Sequence, residues 1–149
     1  MKPGFIKPNK NEIFTKGVIA QLIEPLMTDE RSIAAVKAAI EYGKGMISNR
    51  DLFEASEAAM SASVFSPKAN EAAESEYSKI AANSYAAQAA YLAAAFYEPV
   101  SEVIRIAAEA YAFDFAKDWQ PGTLMYREFR KEAIKEFESK ANALVEKYI

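Results

Sequence analysis

The chain has 149 residues, of which 51% are hydrophobic and 26% are charged, and its formal net charge at pH 7 is -3. This composition predicts one folded domain with a single hydrophobic core and excludes an intrinsically disordered chain. The negative net charge gives no general attraction to nucleic-acid phosphates or anionic lipids, so nucleic acid is not an expected partner.

The sequence contains neither Cys nor His. Thiolate zinc sites, cysteine nucleophiles, serine-histidine-aspartate triads and histidine metal ligands are therefore excluded. Paired carboxylates are present, but the di-iron sites of helical bundles use Glu-x-x-His motifs that this chain cannot supply. We therefore expect no cofactor, no metal and no catalytic activity. The absence of disulfides is compatible with the cytoplasm.

No segment is apolar enough to predict membrane insertion. The longest nearly apolar run, Ala86 to Tyr97, is interrupted by Gln88 and is too short to cross a bilayer, which takes about 20 residues. The first ten residues, MKPGFIKPNK, lack the apolar run of a secretory signal. We expect a soluble, cytoplasmic protein that does not bind membranes.

The N-terminal segment, residues 1–10, contains two prolines, a glycine and three lysines. Proline and glycine disfavour a helix, so this segment is predicted to be an extended arm. Phe5 and Ile6 are its apolar anchors. They would pack on the protein's own domain or contact a partner, which makes Phe5 a candidate partner-binding residue.

Two helices are predicted after the arm. The first begins at an Asn11 cap and runs to about Met27, with Pro25 ending or kinking it. The second begins near Thr28 or Asp29, where acidic side chains suit the positive end of a helix. Glycines at positions 43 and 45 end it.

The third helix is predicted over about Asn49 to Phe65, with a cap at Ser48 and an acidic residue, Asp51, three places later, and it places Leu52 and Phe53 on one apolar side. The pair Ser66-Pro67 then has the form of a helix start. It precedes Ala69 to Tyr97, in which twelve of 29 residues are Ala, the residue with the highest helix propensity. This long stretch is predicted to be one buried central helix.

A fifth helix is predicted from about Pro99 to Lys117, because the residue before a proline is driven out of the helical conformation. A loop over residues 118–122 follows, and Thr123 caps a last helix that runs to the C-terminus. The predicted fold is all-α: one domain, residues 1–149, forming an irregular bundle of about six helices around a central helix at about residues 67–97.

The second helix and the start of the third contain a recognisable spacing, D-x-R-x-x-x-A-V-x-x-A-x-x-Y-x-x-G. Its residues are Asp29, Arg31, Ala35, Val36, Ala39, Tyr42 and Gly45, followed by Ser48, Leu52, Ala55, Ala58 and Ala59. This pattern resembles the Ala-rich helical domain of bacterial and phage immunity proteins, the Imm-5-like domain, over roughly residues 29 to 116. The resemblance implies a small helical inhibitor that binds and silences a toxin protein.

Acidic and aromatic residues on the predicted helix faces and loops are the candidate contacts with a protein target. An acidic patch would be complementary to a basic partner, and an exposed Trp is a common interface anchor. The alternatives are purely structural: the acids form solvent-exposed helix faces, and the Trp packs at the end of the bundle. The candidate residues are Glu54, Glu57, Glu71, Glu74, Trp119 and Phe5.

Two other functions stay open at the level of sequence. The chain could form a self-assembling structural protein, a homo-oligomer, or a nucleic-acid-associated protein that uses the lysines of its arm. It could also hold a small ligand, or act as an enzyme, in a pocket of carboxylates and tyrosines. The tyrosines concerned are Tyr77, Tyr85, Tyr91, Tyr97 and Tyr111.

Overall fold

The computed structural model describes residues 9–68 and 73–149, without the side chain of Ser75. This part of the chain contains α-helices and short 3-10 turns but no strand, so the all-α fold is confirmed. The helices are α1 (Lys10–Gln21), α2 (Glu30–Gly43), α3 (Asn49–Val64), α4 (Tyr77–Ala94), α5 (Val100–Phe115) and α6 (Leu124–Tyr148).

Three helices begin where their local capping residues predict. The Asp29 carboxylate accepts the backbone N–H of Arg31 at the start of α2. Ser48 and Asp51 form a reciprocal capping box on α3, and the Thr123 hydroxyl accepts the Tyr126 N–H on α6. Each cap satisfies backbone donors that the first turn of a helix leaves without a partner.

The boundaries of α1 differ from the prediction. Its cap is Asn9, whose side-chain oxygen accepts the backbone N–H groups of Asn11 and Glu12. Asn11 therefore lies inside the helix. The helix ends at Gln21, and Pro25 lies in a separate 3-10 turn, Glu24–Leu26, so the predicted end at about Met27 is wrong.

The central helix is shorter than predicted at both ends. Ser66 does not cap α4, because its hydroxyl donates to the Ser63 carbonyl at the end of α3. Ala73 is extended (φ -61°, ψ 149°) and leads into a 3-10 turn, so the helix begins only at Tyr77. At the other end, Ala95 is extended. The helix propensity of Ala favours a helix by less than 1 kcal/mol per residue. A hydrogen bond such as that of Ser66 to the Ser63 carbonyl is large enough to outweigh it.

Helix α4 nevertheless lies at the centre of the molecule, as predicted. It packs against α1, α2, α3 and α5, while α6 packs on α5 and α1. Its alanines let the neighbouring backbones approach closely, and six of them are no more than 1% exposed. They are Ala82, Ala86, Ala89, Ala90, Ala93 and Ala94.

A buried lysine fastens α1 to the end of α4. The Lys16 ammonium donates to the carbonyl oxygens of Leu92 (3.2 Å), Ala95 (2.5 Å) and Glu98 (2.9 Å). Leu92 belongs to the last turn of α4, while Ala95 and Glu98 follow the helix, so the ammonium lies at the negative end of α4, where a cation is favourable. This contact joins segments 76 to 82 residues apart in the chain.

In the described part of the chain, no helix is both long and apolar enough to cross a membrane.

Candidate partner-binding site

A small cleft lies between α3 and the segment that follows α4. It encloses about 140 Å³. We call it the aromatic pocket, because four of the eight residues that line it are aromatic. The lining residues are Phe53, Ser56 and Glu57 from α3, and Tyr91, Ala94, Ala95, Phe96 and Tyr97 from the end of α4 and beyond.

Two of the aromatic side chains at this pocket are largely exposed. Phe53 is 52% exposed and Tyr97 is 65% exposed. The Phe96 ring lies between them, with its centroid 6.5 Å from that of Phe53 and 6.4 Å from that of Tyr97. Exposed apolar side chains that cluster in this way mark surfaces that bind a partner or ligand more often than isolated ones do.

The two candidate acids of α3 have different surroundings. Glu57 lines the aromatic pocket, one helical turn after Phe53 and Glu54. Glu54 is exposed, and its carboxylate accepts a 3.1 Å hydrogen bond from the guanidinium of Arg50. Glu57 forms no ion pair within residues 9–68 and 73–149. The negative charge of Glu57 therefore remains available to a partner.

Ala95, which lines the aromatic pocket, accepts a hydrogen bond from the Lys16 ammonium through its backbone carbonyl. Burial lowers the pKa of Lys16 to about 8, while the carboxylates of Glu98 and Glu12 act in the raising direction. Its side chain is only 1% exposed, and its donors are directed at three carbonyls. Lys16 is thus a structural residue that a ligand in the pocket does not reach.

A wider groove adjoins the pocket and exposes one side of α4 between α3 and α5. It encloses about 370 Å³, and Tyr91 borders both cavities. The groove exists because α3 and α5 pack on α4 from different sides. Its walls combine apolar and charged side chains, among them Met60, Val64, Gln88, Leu92, Glu98, Glu102, Arg105 and Ile106.

Two other candidate residues meet at the opposite end of α4. Glu74 and Trp119 line an open cavity of about 520 Å³, where the Gln120 amide donates to the Glu74 carboxylate at 3.1 Å. Trp119 is half-buried, with its ring centroid 4.2 Å from that of Phe129. The Trp119 ring thus packs on Phe129 of α6 and also borders the open cavity.

The structure therefore divides the candidate residues between two regions. An 18-residue helix is about 27 Å long, so Glu74 before α4 and Glu57 beside its far end belong to separate surfaces. Phe5 and Glu71 lie outside the described residues, as does most of the predicted N-terminal arm. Lys10, predicted to belong to that arm, is instead the first residue of α1.

The sequence pattern misplaced Phe53 and did not single out Phe96. Phe53 was predicted to share an apolar side with Leu52, but Leu52 is fully buried and Phe53 points outward. Adjacent residues of a helix are about 100° apart around its axis. This spacing indicated that Leu52 and Phe53 would not both face the core. Among the tyrosines, Tyr91 and Tyr97 reach the pocket, whereas Tyr85 stacks on Phe113.

No group of three or more acidic side chains within the described ranges, 9–68 and 73–149, is arranged to hold a metal ion. Comparison of the chain with protein-family models, with curated proteins and with solved structures gives no match.

Proposed function

We propose that this protein is a non-catalytic, helical protein-binding module that occludes its target, in the manner of an immunity-type inhibitor in bacterial or phage conflict. The observation that supports it best is the aromatic pocket, where exposed aromatic side chains and an acidic side chain share one face. Aromatic residues are enriched in protein interfaces, while acidic residues complement a basic target.

The resemblance to immunity domains agrees with this proposal but involves other residues. Asp29 caps α2 and pairs with Arg31, while Ala35, Ala39 and Tyr42 are buried. The first two positions thus serve the start of α2, and the three buried positions serve its packing. The contact with a target is therefore proposed for the exposed face of α3 and the segment after α4.

The proposal is tested by affinity capture with the tagged protein and identification of the bound proteins by mass spectrometry, with washes at low and high salt. We expect one stoichiometric partner for the wild type and its loss in the variant F53S/E57K. A matched control is L124S/E132K, which changes an exposed apolar residue and an exposed acid on α6. Equal capture by both variants would place the contact elsewhere, and recovery of the bait alone would contradict the inhibitor function in that host.

Self-assembly is a second candidate function, favoured by the number of large apolar side chains that the described structure leaves exposed. Phe65 at the end of α3 is 82% exposed and Val64 is 58% exposed, in addition to Phe53 and Tyr97. Faces of this kind can bury one another in a dimer. Sedimentation over a range of concentrations distinguishes the two, because a mass that rises with concentration indicates assembly.

A further inference from the structure

We infer that the aromatic pocket receives a single cationic side chain, the guanidinium or ammonium of a basic residue on the partner. The inference rests on the proposed function in that it names the chemistry of the group that the partner inserts. Three properties of the pocket lead to it: its volume, its aromatic walls and the charge beside it.

The volume of the pocket fits one side chain. Pockets that hold drug-sized ligands or cofactors enclose about 300 to 1,000 Å³. The aromatic pocket encloses about 140 Å³, which is less than half of the lower bound. A volume of that size holds the end of one long side chain and is too small for a drug-sized ligand or a cofactor.

The aromatic walls of the pocket suit the end of a basic side chain. The faces of aromatic rings carry negative potential, and a guanidinium or ammonium within about 6 Å of a ring centroid is attracted to it. Phe53, Phe96 and Tyr97 present three rings at the rim of one small cleft. The aliphatic stem of a lysine or arginine would also cover apolar surface that Phe53 and Tyr97 leave exposed.

The charge balance around the pocket is negative. Glu57 stands on the wall and forms no ion pair within the described residues. Among the described residues that line the pocket, Glu57 alone has a charged side chain, so the charge at the wall is negative and favours a cation.

A titration with defined small probes tests the inference on the full-length protein. The probes are Nα-acetyl-arginine amide, Nα-acetyl-lysine amide and Nα-acetyl-citrulline amide, the last being a neutral analogue of arginine with nearly the same shape. Binding is followed by NMR through the aromatic ring resonances of Phe53, Tyr91, Phe96 and Tyr97. We expect saturable shifts with the two cationic probes, with a Kd on the order of 1 mM, and none with citrulline.

Two variants on the same helix make the test specific. E57Q removes the carboxylate at the pocket and should weaken the binding of the arginine probe about fivefold. E54Q removes an acid one turn away that is already paired with Arg50, and should change the binding less than about twofold. Both residues are exposed, so neither change should alter the fold.

Three results of the titration would overturn the inference. They are the absence of saturable shifts at these rings, equal binding of arginine and citrulline, and equal effects of E57Q and E54Q. A dimer in sedimentation that F53S converts to a monomer would also overturn it, because a second copy would then occupy the pocket. Failure with the free probes leaves the proposed function to be judged separately by affinity capture, which does not depend on them.

Discussion

At the scale of single residues, Asp29 does two things at the start of α2. Its Oδ1 accepts the backbone N–H of Arg31 at 2.9 Å, and both carboxylate oxygens accept from the Arg31 guanidinium at 3.0 and 2.8 Å. These hydrogen bonds, first the guanidinium and then the backbone, lower the pKa of Asp29 to about 2. A helix cap and a local ion pair thus give a structural reason for Asp29 and Arg31, two residues of the spacing that resembles immunity domains.

The substitution D29A should lower the free energy of unfolding by about 1 kcal/mol at neutral pH, because the cap is lost. D29N keeps an acceptor for the backbone N–H and should cost less than D29A. The native pKa lies below the unfolded value near 3.8, so the stabilisation by the carboxylate is complete above that pH and is lost as the pH falls through about 2. The wild type, D29A and D29N should therefore become more similar in stability as the pH falls. Urea unfolding of the three proteins between about pH 6 and pH 2 measures this.

Lys16 provides a second prediction at this scale. K16M keeps most of the apolar stem but removes the donor to three carbonyls, so we expect the free energy of unfolding to fall by about 1 to 2 kcal/mol at pH 7. K79M, at an exposed position of α4, is the control and should cost less than about 0.5 kcal/mol. An equal effect of both substitutions would show that the three hydrogen bonds contribute nothing.

The pKa of Lys16 also predicts the pH dependence. Burial lowers it to about 8 in the native state, against 10.5 in the unfolded chain. Between these values the unfolded state binds more protons, so stability rises with pH, by about 1 kcal/mol from pH 7 to pH 9. K16M should lack this rise, and its deficit relative to the wild type should grow over the same interval. Chemical unfolding at both pH values measures the difference.

At the scale of elements, α1 and α2 cross at glycines. A Cβ atom on Gly43 would lie 2.3 Å from Cβ and 2.9 Å from Cα of Phe14, which leaves no room for a side chain. A Cβ on Gly17 would lie 2.9 Å from Cγ1 and 3.1 Å from the backbone nitrogen of Ile40, and 3.0 Å from Cβ of Ala39, a fit that is tight but less so than at Gly43. The absence of a side chain at Gly43 is therefore what allows the two backbones to pack closely.

We expect G43A to lower the free energy of unfolding more than G17A does. Helix propensity alone would make either change to Ala stabilising by about 1 kcal/mol. Because the close contact involves the backbone of Phe14, we expect G43A instead to lower the free energy of unfolding by about 2 to 3 kcal/mol. Thermal and urea unfolding of both variants measure the order, and stabilisation by G43A would contradict the packing of α1 on α2.

At the scale of the whole molecule, the exposed rings of the aromatic pocket, Phe53 and Tyr97, are separable from the core, whereas Tyr91 and Phe96 pack against it. Phe53 and Tyr97 contribute little to the core, because more than half of each side chain is exposed. F53S/Y97S should therefore change the free energy of unfolding by less than about 1 kcal/mol. The same variant should lose the captured partner. Loss of both stability and binding would show instead that these rings are part of the fold.

The sequence alone determined the fold class and three of the helix starts that depend on local hydrogen bonds. The caps at Asp29, Ser48 and Thr123 each act on a backbone N–H two or three residues away, and the residue types predicted these three starts, whereas the cap of α1 was predicted at Asn11 and is Asn9. The alanine content of α4 predicted its central place, because small side chains permit close packing on several sides. The absence of Cys and His fixed which chemistries are excluded.

Only the tertiary structure decided where α4 ends and which candidate residues lie together. The capture of three carbonyls by Lys16 joins positions about 80 residues apart, and nothing near either position in the sequence indicates it. The same holds for the aromatic pocket, where α3 meets the segment after α4, and for the contact of Gln120 with Glu74. Such contacts depend on how the helices pack. The hydrophobic periodicity of the sequence predicts which face of a helix is buried, but it does not predict which other helix packs on that face.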